Sequence, residues 1–196
     1  MSLSASALGS LIDANLAGVG AIGANRTVFA NAVAAGIVMT IVGKSFATVD
    51  TGTIPGAGTG SGTGLTGLIS GTMITTAVGV LPTTGVNATL LMTAIMNAVV
   101  THMGSASLSS THTPVFAGSG IITPGSIPVL APELASNIDS QLSSAGANGS
   151  NRTILANAIA AGVAIGFVTA TGTVTISGSP SGTPSPGGGS GTGVIS

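Results

Sequence analysis

Leu8, Leu11, Ile12 and Leu16 recur at intervals of three and four, the spacing that gathers apolar side chains on one face of a helix. This predicts a short helix over 6–17. Leu134, Ile138 and Leu142 repeat the pattern within 131–144, where Pro132 and Glu133 supply the proline and the acid that suit a first helical turn. A weaker segment of the same kind spans 67–79. Each segment leads into a turn containing Gly or Pro, at 18–23, 82–85 and 146–149. A longer, more uniformly apolar stretch then follows at 25–41, 87–103 and 151–164. These stretches open on Asn25, Asn87 and Asn151, a residue type suited to helix N-caps. Past them the period changes. Thr48-Val49-Asp50-Thr51 and Thr173-Val174-Thr175-Ile176 carry β-branched residues in an extended pattern, and they run into Gly/Ser/Pro loops that break helices.

The order helix, turn, helix, strand therefore recurs, and the residues recur with it. Asn25 to Gly36 reads NRTVFANAVAAG and Asn151 to Gly162 reads NRTILANAIAAG, at a constant offset of 126. Ile12, Asp13 and Leu16 match Ile138, Asp139 and Leu142 at that offset. A looser middle copy lies between, in which Ala94 to Val100 parallels Val28 to Ala34 and sets Asn97 on Asn31 and Asn157. Gly-spaced signatures close each copy: Gly62-Thr63-Gly64 with Gly67, Gly118-Ser119-Gly120, and Gly191-Thr192-Gly193. We read three tandem repeats of about 60 residues, a size at which one unit barely buries a core of its own. They are 1–67, a divergent 68–127, and 128–196, which ends in an extended arm at 177–196. The expected fold class is α+β: two helices plus a Thr-rich strand or hairpin and a Gly-rich arm in each unit. Units of this size stack on each other or on neighbouring chains.

Composition narrows the functions. Of 196 residues, three are Lys or Arg and four are Asp or Glu, whereas 26 are Thr and 24 are Ser. Three cations cannot supply the basic field that nucleic-acid binding needs. With no Cys, there is no disulfide framework, thiolate metal site or Cys nucleophile. Disorder driven by charge is excluded by a hydrophobic content of 44%. A chain only 4% charged is a poor free monomer, so its partners are expected to be copies of itself and other structural proteins.

Two charges stand out. Asp13 precedes Arg26 by 13 residues, Asp139 precedes Arg152 by 13, and the middle copy lacks both partners. The expectation is an ion pair tying the first helix of each outer unit to the start of its second. A cation is disfavoured at a helix N-terminus, so the Arg turns back to the Asp.

Other signals carry no chemistry. Gly62 to Gly67 fits G-x-G-x-x-G, but it sits in a run of alternating Gly, with no acid about 20 residues on to hold a ribose. His102 and His112, without Cys or a neighbouring carboxylate, make a weak metal signal. The sequons beginning at Asn25, Asn87, Asn148 and Asn151 follow from a Ser/Thr-rich composition. No cofactor, metal, small-molecule substrate or enzymatic activity is expected.

Thr27 to Gly43 is uncharged over 17 residues, the lower limit for a membrane span. Asn31, Asn97 and Asn157 inside the apolar helices argue against insertion, as does the absence of Trp and Tyr belts. Asp13 and the lack of a basic leader argue against a signal peptide. The Ala/Asn-rich helices (Asn31–Val38, Asn97–Met103, Asn157–Ala164) followed by Thr/Val segments and Gly-Thr-Gly closures resemble repetitive Gly/Ala/Thr-rich virion structural proteins of tailed bacteriophages. The resemblance implies a non-enzymatic building block of the tail, baseplate or neck, located in the virion. Uncharged arms at Gly62, Gly64, Gly67, Gly118, Gly120, Gly191 and Gly193 would then bridge subunits. The alternatives are a membrane or cell-surface-layer protein with three apolar helices, and a capsid decoration protein.

Overall fold

The structure, a computed structural model, describes residues 3–195 except 24, 53–57, 64, 66–67, 83–85, 113–116, 123–128, 169, 171 and 178–186. Among these residues six helices follow one another: α1 (Ala5–Gly18), α2 (Asn25–Ile41), α3 (Ser70–Val80), α4 (Val86–Ser105), α5 (Ala131–Ser144) and α6 (Asn151–Val168). Each packs against the next, and α6 returns to α1, so the helices close a ring. One chain thus makes three αα pairs that share three further seams.

Local chemistry sets the helix ends. The Ser4 hydroxyl accepts from the Ala7 N–H at 3.2 Å and caps α1. α1 stops where Ala21 N–H reaches the Leu16 carbonyl and Gly20 N–H that of Ala17, both at 3.0 Å. α5 stops identically, with Ala147 to Leu142 at 2.9 Å and Gly146 to Ser143 at 3.0 Å. This pair of bonds needs a left-handed residue, and Gly20 (φ +84°) and Gly146 (φ +86°) adopt that conformation without a Cβ penalty.

The core comes almost wholly from these helices. Fully buried side chains recur in threes along α2, α4 and α6: Val33, Ile95 and Ile159; Ile37, Val99 and Val163; Ile41, Met103 and Phe167. α1, α3 and α5 add Leu8 and Ile12, Met73 and Ala77, Leu134 and Ile138. The alternation of buried and exposed positions along α4 coincides with that of α6 when Asn87 is set on Asn151. Thr93, not Asn97, therefore stands where the outer units have Asn31 and Asn157. The sequence match set the middle helix one turn out of register. A four-residue slip keeps the same helix face, and Ala-rich helices differ little under it.

Among the described residues six strands, β1 (Ser45–Gly52), β2 (Gly58–Thr63), β3 (Ser107–His112), β4 (Ala117–Ile122), β5 (Gly172–Ser177) and β6 (Gly187–Ile195), pair in chain order, all antiparallel. β6 pairs back to β1 and closes the ladder. The two rings meet where Gly43 N–H donates to the Ile195 carbonyl (2.8 Å) and Leu65 N–H to that of Met103 (3.0 Å).

This arrangement overturns the α+β expectation. Among the described residues the protein is mostly helical, and the six helices that hold its core include no strand. Among the described residues no helix packs along a strand, so helices and strands do not combine into an α+β unit in each repeat. The physical reason lies in composition. The strand segments are built largely of Gly, Ser and Thr and offer little apolar area. The helices bury theirs against each other, at about 25 cal/mol per Å². β-branched alternation marks extended backbone and says nothing of which elements carry the core.

Candidate functional site: two ionic clasps and an end face with three pockets

The turn between α1 and α2 brings Asp13 under Arg26. Arg26 Nε donates to Asp13 Oδ1 at 2.9 Å and Nη2 to Oδ2 at 3.1 Å, a bidentate pair. Nη1 donates to the Ala21 carbonyl at 3.0 Å, so the same guanidinium also pins the turn. The Thr27 hydroxyl donates to Asp13 Oδ1 at 2.9 Å. Unit 3 repeats every contact. Arg152 meets both Asp139 oxygens at 2.9 Å and the Ala147 carbonyl at 3.1 Å, and Thr153 donates to Asp139 at 2.9 Å. All four charged side chains remain roughly a quarter exposed. The hydrogen bond from Arg26 holds the Asp13 carboxyl below its ordinary value against partial desolvation, with Thr27 helping. Arg152 and then Thr153 do the same for Asp139.

The sequence pointed to both ion pairs. It did not point to the threonines or to the turn carbonyls. The Arg-Thr dipeptide recurring at offset 126 was their only trace. In unit 2 the burial register places Val78 and Ala88 at the two charged positions, so an apolar pair replaces the clasp.

Among the described residues, two buried polar atoms have no hydrogen-bond partner: Thr40 Oγ1 and His102 Nε2. In the burial register they hold the same position on α2 and α4, where α6 has Gly166. Burial pushes the His102 pKa down, and Glu133 on α5 pulls the other way. His112 lies in β3, and among the described residues no three His, Asp or Glu side chains gather as metal ligands.

The Gly-rich positions lie elsewhere than expected. Gly62 pairs with Leu108, Gly118 with Ile176, and Gly120 with His112 and Val174. Gly191 pairs with Thr48 and Ile176, and Gly193 with Phe46 and Val174. These backbones are used inside the chain, in a ladder without a free edge. Gly64 and Gly67 lie outside the described residues.

Among the described residues, the helix ends away from the strands form a face with three pockets of about 210, 280 and 370 Å³. Each lies between the first turn of one unit's second helix and the interhelical turn of the next unit. Asn25, Val28 and Phe29 line the first against Leu81 and Pro82. Asn87, Leu90 and Leu91 line the second against the turn at Ala145–Ala147. Asn151, Ile154 and Leu155 line the third against the turn at Val19–Ala21. Sequence reasoning missed these pockets, because each is assembled across two units.

Among the described residues, two helical segments, Asn87–Ser105 and Asn151–Val168, are long and apolar enough to cross a membrane, with mean hydropathies of 1.2 and 1.4. In each, 44% of the window is buried against the other helices. Comparison with protein-family models, curated proteins and solved structures found no match.

Proposed function

We propose that this chain is a non-enzymatic structural subunit of a large symmetric assembly, a tailed-phage virion, acting in its tail, baseplate or neck. The observation that carries the reading is the closed threefold arrangement of αα pairs made by a single chain. Large assemblies are built on rotation axes, and a body with internal threefold repetition can sit on such an axis as one molecule. Four charged groups of the helices, Asp13, Arg26, Asp139 and Arg152, serve its own turns, and the repeat style resembles that of virion building blocks. The test is mass spectrometry and electron microscopy of purified particles. The chain should be present at fixed stoichiometry, in density showing six helices around an axis. Particles assembled without it, and normal in form and infectivity, would refute the role.

A second reading, a membrane protein, draws on α4 and α6. It requires the chain to fractionate with membranes and to need detergent.

A further inference from the structure

The end face just described carries a protrusion as well as its three recesses. Ile22, in the α1–α2 turn, is 92% exposed, which is extreme for an aliphatic side chain. It directly follows Ala21, which lines a pocket with Val19 and Ile154. Val19, Val80, Leu90 and Ile154 on the same face are each more than two-fifths exposed. The recesses lie near the low end of the roughly 300–1,000 Å³ usual for small-molecule sites. They are lined mainly by aliphatic residues, with one Asn in each. Such a recess takes an aliphatic side chain.

Charge and area say what covers the face. Two identical surfaces repel when they carry unpaired charge, and like-charge juxtaposition costs several kcal/mol. Here Asp13 and Asp139 are already closed onto Arg26 and Arg152, so a second copy brings no like-charge penalty from these groups. Six helix ends at about 10 Å spacing cover about 600 Å² before side-chain relief is added. That approaches the roughly 800 Å² per partner of a standard interface. A protrusion and recesses on one face make it self-complementary, which an isologous interface requires.

We infer that the chain forms a homodimer through this face: two copies meet end to end, and each inserts Ile22 into an end pocket of the other. The strands of both copies then point outward. The inference goes beyond the virion role and does not depend on it. A dimer whose protein is missing from particles would remove that role and leave the interface standing.

Sedimentation equilibrium of the full chain without detergent, from about 1 to 100 µM, tests this. Dimer is expected over most of that range. Ile22→Asp and, separately, Leu90→Asp should each weaken dimerisation at least about tenfold with an unchanged circular dichroism spectrum, whereas Ile22→Val retains the dimer. Because Ile22 touches solvent almost everywhere, its substitution leaves the fold intact, and Leu90 provides an independent check. A monomer at the highest concentration overturns the proposal. So does an oligomer that neither aspartate variant weakens, or a chain that enters solution only in detergent.

Discussion

Gly162 on α6 tests whether close helix approach holds the ring shut. A Cβ placed there would lie 2.7 Å from Ile12 Cα and 2.9 Å from Ile12 N, on the backbone of α1. Carbon–carbon contact is comfortable at about 3.5–4.0 Å, so α1 and α6 would have to part by about 1 Å. Forcing extra volume into a packed seam costs about 1–3 kcal/mol, and contact with backbone belongs at the upper end, because no side chain can rotate away. Ala gains back about 1 kcal/mol of helix propensity over Gly. Gly162→Ala should therefore destabilise by about 2 kcal/mol, a fall in Tm of about 4–8 °C for a chain of this size. Thermal unfolding followed at 222 nm reads it directly. Gly104→Ala is the control: it lies in α4, and no heavy atom comes within 4 Å of the added carbon. Its Tm should hold or rise. Gly166→Ala falls between the two, since the nearest atom there is the flexible Leu8 Cδ1 at 2.6 Å. Equal Tm changes for Gly162→Ala and Gly104→Ala would refute the reasoning.

Asp139→Ala should lower Tm further than Asp139→Ala combined with Arg152→Ala, because the single change leaves a guanidinium without its counter-charge. Asp139→Val with Arg152→Ala, which copies unit 2, should fold, and a double-mutant cycle by thermal melts decides both points. His102 is neutral in the fold with a depressed pKa, so its contribution is complete above its unfolded value near 6.5 and is lost as pH falls below it. In a His112→Asn background Tm should decline below about pH 6.5, and His102→Thr, the residue found at that position in α2, should flatten that limb. The two carboxylates act lower: their pKa values are held down, so the clasps persist above the usual carboxylate range and fail only as pH drops through the lowered values. Phe167→Ala should cost about 3–5 kcal/mol, read by chemical denaturation, because that ring is fully buried.

The sequence pointed to the helices because their apolar spacing is periodic, and to the clasps because Asp13 and Arg26 recur together at one offset. It mis-set unit 2 because Asn97 mimics Asn31 one turn along an Ala-rich helix, where neither composition nor periodicity distinguishes the two registers. It set a strand or hairpin beside the two helices of each unit because β-branched alternation reports extended backbone and not which elements share a core. The ring itself, with α6 against α1 and β6 against β1, is set by contacts between distant segments and has no local signature. The orphan atoms of Thr40 and His102 were invisible for the same reason, since burial at that position depends on the neighbouring unit. The end pockets needed both the register and the ring.

The clasp that units 1 and 3 keep and unit 2 has exchanged for Val78 and Ala88 has a consequence for how such a molecule can change. In a true homotrimer one codon serves three sites, so replacing an Asp deletes every copy of its bond simultaneously. Joining the units in one polypeptide separates those codons and holds the altered seam beside two intact ones at a high effective concentration. Each seam can then drift alone, and an equatorially asymmetric molecule can arise without passing through a form in which all three bonds are missing.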